Sequence, residues 1–245
     1  MSGHSKWHKI RYQKASTDKN KGKIFSKLSK LISLAAKEKG GNPETNPKLR
    51  LAIEKAKKAN MPKENIERAI KKGIGQLEDT QLEELTYEAY GPGGIAMIIE
   101  VITDNKNRTL NEIKHILSKY GGKLSEPGSV KYLFDYKGVL KINLNDQKSN
   151  NKENIEIKAI EAGAENIIQQ ENFLEVYVPP NKIEETKNNL KKESIEIDSS
   201  GLEWIEKNPL VIEKEETLTK IQKLFEELDE QEDVQEIYSN LKIKN

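Results

Sequence analysis

The chain contains no cysteine, so neither a disulfide framework nor a thiolate metal site is open to it. No apolar run approaches the roughly 20 residues that a bilayer-spanning helix needs. The N-terminus is basic but lacks the apolar stretch of a secretory leader, and Ser2 stands where N-myristoylation needs glycine. Histidine is scarce, with only His4, His8 and His115. The first two share helical spacing, yet two imidazoles without a third ligand make a poor metal site. No Ser/His/Asp or Cys/His set can be drawn. The glycine-rich stretch Tyr90–Gly94 lacks the Lys-Ser/Thr ending of a phosphate loop and precedes a strand instead of a helix. These absences lead to the expectation of a cytoplasmic, non-enzymatic protein with no cofactor, no membrane partner and no small-molecule substrate.

What the chain does have is a strong charge split. Its 245 residues sum to a net charge of +1. The first 75 residues nevertheless hold 20 Lys+Arg against 6 Asp+Glu, and the remaining 170 hold 21 against 34. A basic module joined to an acidic body points to a polyanionic partner, most often nucleic acid.

Hydrophobic periodicity divides the chain further. Residues 1–23 read as a basic arm with little structure of its own. Helices are expected over Ile24–Lys39, from Asn46–Pro47 to about Ala59, and around Ile66–Ile70, closed by Gly73. Residues 76–85 read as an acidic hinge. Strands are expected at Tyr87–Tyr90, Ile95–Ile102 and Val130–Tyr136. Between them, Thr109–Glu112 matches a capping box and sets a helix start. A second unit follows after Gly138, with strands at Val139–Leu144, Phe173–Val178 and Leu202–Ile205 and helices over 152–162 and 182–193. An acidic helix and a strand over Asp233–Ile243 end the chain. The predicted fold class is α+β: an N-terminal helical bundle, then two small ferredoxin-like sandwiches, the second inserted in the first. The expected boundaries are 1–78, then 79–136 with 207–245, and 137–206 as the insertion.

The arm is the first candidate site. Lys6, Lys9, Arg11, Lys14, Lys21, Lys23, Lys27 and Lys30 supply cations for phosphates, and Trp7 offers a stacking surface for an unpaired base. Arg50 and Arg68 extend the basic surface along the helices. No helix pair resembles a helix-turn-helix, because Asn60–Met61–Pro62 is abrupt and apolar at its centre. The second candidate is the loop Asp104–Thr109, where Lys106 and Arg108 precede the capped helix and could clamp a phosphate. The plain alternative is that Arg108 pairs with a neighbouring carboxylate. The acidic run Glu226–Asp233 reads as solvated.

The sequence also resembles the YebC family of gene-expression regulators. The strings that carry the resemblance are GHSKW at 3–7, KGKIFSKL at 21–28, NPKLRLAIEKAKKANMP at 46–62, IERAIKKG at 66–73 and YGPGG at 90–94. TDNKNRT at 103–109, PGSVKYLF at 127–134, EAGAE at 161–165 and DVQEIYSN at 233–240 extend it nearly end to end. Two small departures are Ala89, where members often carry Gly, and Lys106, where they often carry Arg. The resemblance implies a helical bundle and two α+β domains around a cleft, and a non-enzymatic role. It implies a DNA-binding transcriptional regulator, or a ribosome-associated translation factor that contacts ribosomal RNA and relieves stalling at proline-rich sequences. A protein-binding adaptor is a third reading of the residues themselves.

Overall fold

The computed structural model describes residues 18–77, 81–147, 152–170 and 172–243. Among the described residues three helices come first: α1 (Asp18–Lys39), α2 (Pro47–Lys58) and α3 (Lys63–Gly73). Ile32, Ala35 and Ala36 of α1 share one buried cluster with Leu49, Ala52 and Ala56 of α2 and with Ile66 and Ala69 of α3. α1 begins at Asp18, ahead of the Ile24 expected from its apolar stripe. Lysine is a good helix former, so a polar, lysine-rich start is compatible with helix there. Gly40, at φ 87°, ends it.

Asn46 begins α2 as its sequence indicates. Its side-chain oxygen accepts the Leu49 N–H at 3.0 Å, and its amide nitrogen donates to the Ala35 and Gly40 carbonyls at 2.7 and 2.9 Å. One buried residue therefore caps a helix start and satisfies a helix end. α3 approaches α1 at backbone distance. A Cβ on Gly73 would lie 2.2 Å from the Ser33 carbonyl oxygen, and the Ser33 hydroxyl donates to the Ala69 carbonyl at 2.8 Å.

The chain divides into two compact units, residues 135–205 and the rest. The larger unit continues with β1 (Glu83–Tyr90), β2 (Ala96–Thr103), α4 (Lys106–Lys119) and β3 (Lys123–Leu124). The inserted unit holds β4 (Phe134–Asn143), α5 (Lys152–Glu161), β5 (Asn166–Gln170), β6 (Phe173–Val178), α6 (Ile183–Lys192) and β7 (Ser199–Glu206). The chain then returns through β8 (Leu210–Val211), α7 (Glu215–Glu230), β9 (Val234–Ser239) and β10 (Leu241–Lys242).

In the larger unit the sheet order is β3-β1-β2-β9, antiparallel throughout. β2 is buried along its length except at Glu100, as its apolar run requires. α4 and α7 place Ile113, Leu117, Leu224 and Leu228 in the same core as Met97, Ile99 and Val234. A smaller cluster of Leu34, Leu82 and Ile102 joins α1 to this part of the unit. The inserted unit has the order β5-β6-β4-β7, the ferredoxin-like arrangement of a βαββαβ chain. Its core is separate and includes Leu140, Ile142, Ile155, Val176 and Leu190. The α+β class with leading helices is thus observed.

Several elements differ from expectation. β1 begins at Glu83, inside the expected hinge, because it pairs with β2 from Glu83↔Thr103 to Tyr90↔Ala96. Ladder pairing overrides polar composition there. Val130–Tyr136 is not a strand of the first sheet. Residues 131–133 form a 3₁₀ turn, and Phe134 instead starts the long β4. Glu88 explains the turn, since its carboxylate takes the Val130 and Lys131 N–H groups at 2.6 and 2.9 Å. Gly138 does not break β4 but admits Val178 and Ile183, which crowd its position. Ala89, fully buried in β1, is not among the positive-φ residues, so alanine is accommodated.

Candidate nucleic-acid interface

The candidates Lys6, Trp7, Lys9, Arg11 and Lys14 lie outside the described residues, as do His4 and His8. Of the arm cations, Lys21, Lys23, Lys27 and Lys30 fall on α1. Lys21 is exposed. Lys23 pairs with Glu230. The Lys27 ammonium donates to the Asp229 carbonyl at 2.6 Å and to its carboxylate at 3.1 Å, and Lys27 is only 6% exposed. Lys30 donates to Asp233 at 2.6 Å. The lysine stripe of α1 therefore faces the acidic end of α7, and each of these three lysines already holds a carboxylate.

This corrects the reading of residues 226–233 as a solvated acidic run. Asp233 is 1% exposed. One oxygen accepts from Lys30, and the other accepts from the Thr109 hydroxyl at 2.6 Å, the Thr103 hydroxyl at 3.1 Å and Arg108 at 3.1 Å. Burial opposes ionisation of this carboxyl, but the hydrogen bonds from Lys30, Thr109 and Arg108 outweigh it and hold the group far below the usual carboxylate range. A depression of about 280 Å³ beside the stripe is lined by Lys23 and Lys27 but also by Glu230 and Glu232. Its mixed charge gives a phosphate no net attraction.

The loop candidate changes in the same way. Helix α4 starts at Lys106, with Asn105 as its cap accepting the Arg108 N–H at 3.1 Å. The capping box at Thr109 does not form, because the Thr109 hydroxyl is committed to Asp233. Lys106 and Arg108 thus lie in the first helical turn, and both are exposed. Arg108 bridges Asp104 at 2.9 Å and Asp233 at 3.1 Å. The hydrogen bond and charge of Asp233, with help from Asp104, raise its already high pKa. Arg50 is also turned inward, toward the Pro43 and Glu44 carbonyls at 3.3 and 3.5 Å. Arg68 remains exposed on α3.

Glu88 was not singled out by sequence. It is 4% exposed, and besides Val130 and Lys131 it accepts the Gly128 N–H at 2.6 Å. Burial works against its ionisation, and the N–H groups of Gly128, Lys131 and Val130 overcome it, so its pKa is lowered. It fixes the segment that leads into the inserted unit. Among the described residues no cluster of His, Asp or Glu could hold a metal ion, and no helix is long and apolar enough to cross a membrane.

The fold and its charge layout define a class: a basic helical bundle whose first helix is engaged by an acidic C-terminal helix of the same unit, with a second α+β unit inserted in the chain. Two family profiles cover nearly the whole chain, "TACO1/YebC protein N-terminal domain" over residues 5–76 and "TACO1/YebC second and third domain" over 82–241. The chain belongs to the TACO1/YebC family. It is 49% identical to a protein of Persephonella marina over 99% of this chain and 96% of that one. It is 46% identical to a protein of Halothermothrix orenii at the same coverages. Both relatives are named "Probable transcriptional regulatory protein". A crystal structure of a conserved hypothetical protein from Aquifex aeolicus matches with a TM-score of 0.85 at 44% identity, over 94% of each chain.

Proposed function

We propose that this protein is a non-enzymatic, nucleic-acid-binding regulator of gene expression, acting on DNA as a transcriptional regulator. One observation carries the reading: residues 18–77 hold 16 Lys+Arg against 6 Asp+Glu in a helical module with its own core. Such a surplus raises the local concentration of a phosphate backbone and speeds its capture. The names of the relatives support the regulatory role. No helix pair in the sequence reads as a helix-turn-helix, which favours backbone contact over sequence readout.

A second reading is a ribosome-associated translation factor. It is favoured by the acidic balance of residues 76–245, 34 Asp+Glu against 21 Lys+Arg. A long naked duplex would repel that surplus, whereas the mixed surface of a ribonucleoprotein would not. The test is fluorescence anisotropy of the full chain with DNA and RNA probes across a salt series. Binding that falls steeply with salt is expected, and absence of binding to either probe would overturn both nucleic-acid readings in favour of a protein-binding adaptor.

A further inference from the structure

Three of the four cations expected to grip nucleic acid on α1 are neutralised within the chain. Lys23, Lys27 and Lys30 each hold a carboxylate, and Arg108 holds two. Transferring them to phosphates would first break these pairs, and Lys27 would have to leave a buried site. Net affinity from them would be small.

The helical module has a second set of cations, on α2 and α3. Lys55, Lys57, Arg68 and Lys71 are all exposed, and among the described residues none has a carboxylate partner. They lie on helices whose apolar faces, Leu49, Ala52 and Ala56 on α2 and Ile66 and Ala69 on α3, are turned into the bundle core. Helix dipoles favour cations in a last turn only modestly. That accounts for Lys55, Lys57 and Lys71 only in part, and not for Arg68 in the middle of α3. Uncompensated like charges repel one another, and this repulsion is relieved when phosphates arrive with release of counterions.

We infer that the exposed cations of α2 and α3, represented by Lys55, Lys57, Arg68 and Lys71, form the surface that contacts the phosphate backbone of a nucleic-acid duplex, while the α1 lysine stripe holds the fold together. This inference rests on the nucleic-acid reading above and assigns the residues that carry it.

The experiment compares three variants of the full chain with the parent. In the first, Lys55, Lys57, Arg68 and Lys71 are each changed to Gln. In the second, Lys23, Lys27 and Lys30 are changed to Gln. The third is a charge control with Lys182, Lys191, Lys192 and Lys214, all exposed, changed to Gln. Anisotropy is read on a short labelled DNA duplex of arbitrary sequence and on the RNA duplex of the same sequence. Circular dichroism melting is run in parallel. The α2/α3 variant is expected to lose about ten-fold or more in affinity on at least one duplex. Its log–log salt slope should become shallower by about 0.9 for each phosphate contact removed, with the melting curve unchanged. The control should keep the parental slope, and the α1 variant should lose thermal stability with little change of slope. A parent that binds while the α2/α3 variant keeps its affinity, or while the control loses as much, overturns the assignment and leaves the nucleic-acid reading standing. A parent that binds neither duplex overturns the reading itself.

Discussion

Asp233 accepts a 2.6 Å hydrogen bond from the Lys30 ammonium across 203 residues of sequence. The pair joins the first helix to the start of the last long strand, inside a site that also holds Thr103, Thr109 and Arg108. The expected binding loop and the expected binding helix thus meet on one buried carboxylate.

Replacing Asp233 with Ala should be among the most damaging single changes in the molecule. It leaves the Lys30 ammonium and two buried hydroxyls without their acceptor. Removing one partner of a buried charged network costs about 3–5 kcal/mol, so a loss of that size is expected in the unfolding free energy obtained from urea titration. A loss below about 1 kcal/mol would show that Lys30 and Arg108 find other partners at no cost.

Acid should destabilise the larger unit in a defined window. Asp233 and Glu88 both have lowered pKa values in the folded state. Each therefore contributes stability that is present above its unfolded value, about 4, and is lost as pH falls through the folded value. Unfolding free energy measured from pH 6 downward should stay flat and then drop below about pH 4. In the Asp233→Asn/Glu88→Gln double variant that drop should be shallower.

Glu88→Ala should loosen the segment 128–131 specifically. Three backbone N–H groups lose their acceptor, and an unsatisfied buried donor costs about 1–3 kcal/mol. Hydrogen exchange should speed up at Gly128, Val130 and Lys131 more than in the core of the inserted unit. Unchanged protection at those three amides would contradict the role assigned to Glu88.

Gly73→Ala tests the packing of α3 on α1. The added methyl would meet the Ser33 carbonyl oxygen at 2.2 Å and the Ala36 Cβ at 2.8 Å. Backbone cannot yield as a flexible side chain can, so a loss of about 1–3 kcal/mol is expected. Gly40→Ala, at φ 87° with open space around it, should cost about 1 kcal/mol through backbone strain alone. A Gly73→Ala loss smaller than about 1 kcal/mol would argue against the close helix contact.

Much of the fold was legible in the sequence because it rests on local rules. Asn46–Pro47 cap a helix, Ile95–Ile102 spells a buried strand, and Gly40 ends a helix as local turn chemistry suggests. Long-range partners were not legible. Nothing near Thr109 shows that its hydroxyl serves Asp233, so a capping box was expected where Asn105 caps instead. Nothing near Val130 shows that Glu88 removes its N–H from a ladder. The acidic end of α7 looked solvated because its partners lie some 200 residues upstream on α1. Charge composition located the basic module, but only the paired geometry distinguishes its committed lysines from its exposed ones.

The most direct test of the central claim is sedimentation of the native protein from a cell lysate through a sucrose gradient, with and without prior DNase or RNase. The account predicts association with fast-sedimenting material that high salt disrupts and that one nuclease abolishes: DNase for a transcriptional regulator, RNase for a ribosome-associated factor. Sedimentation as a free protein under all conditions, or in a complex that resists both nucleases, would contradict nucleic-acid binding as its function.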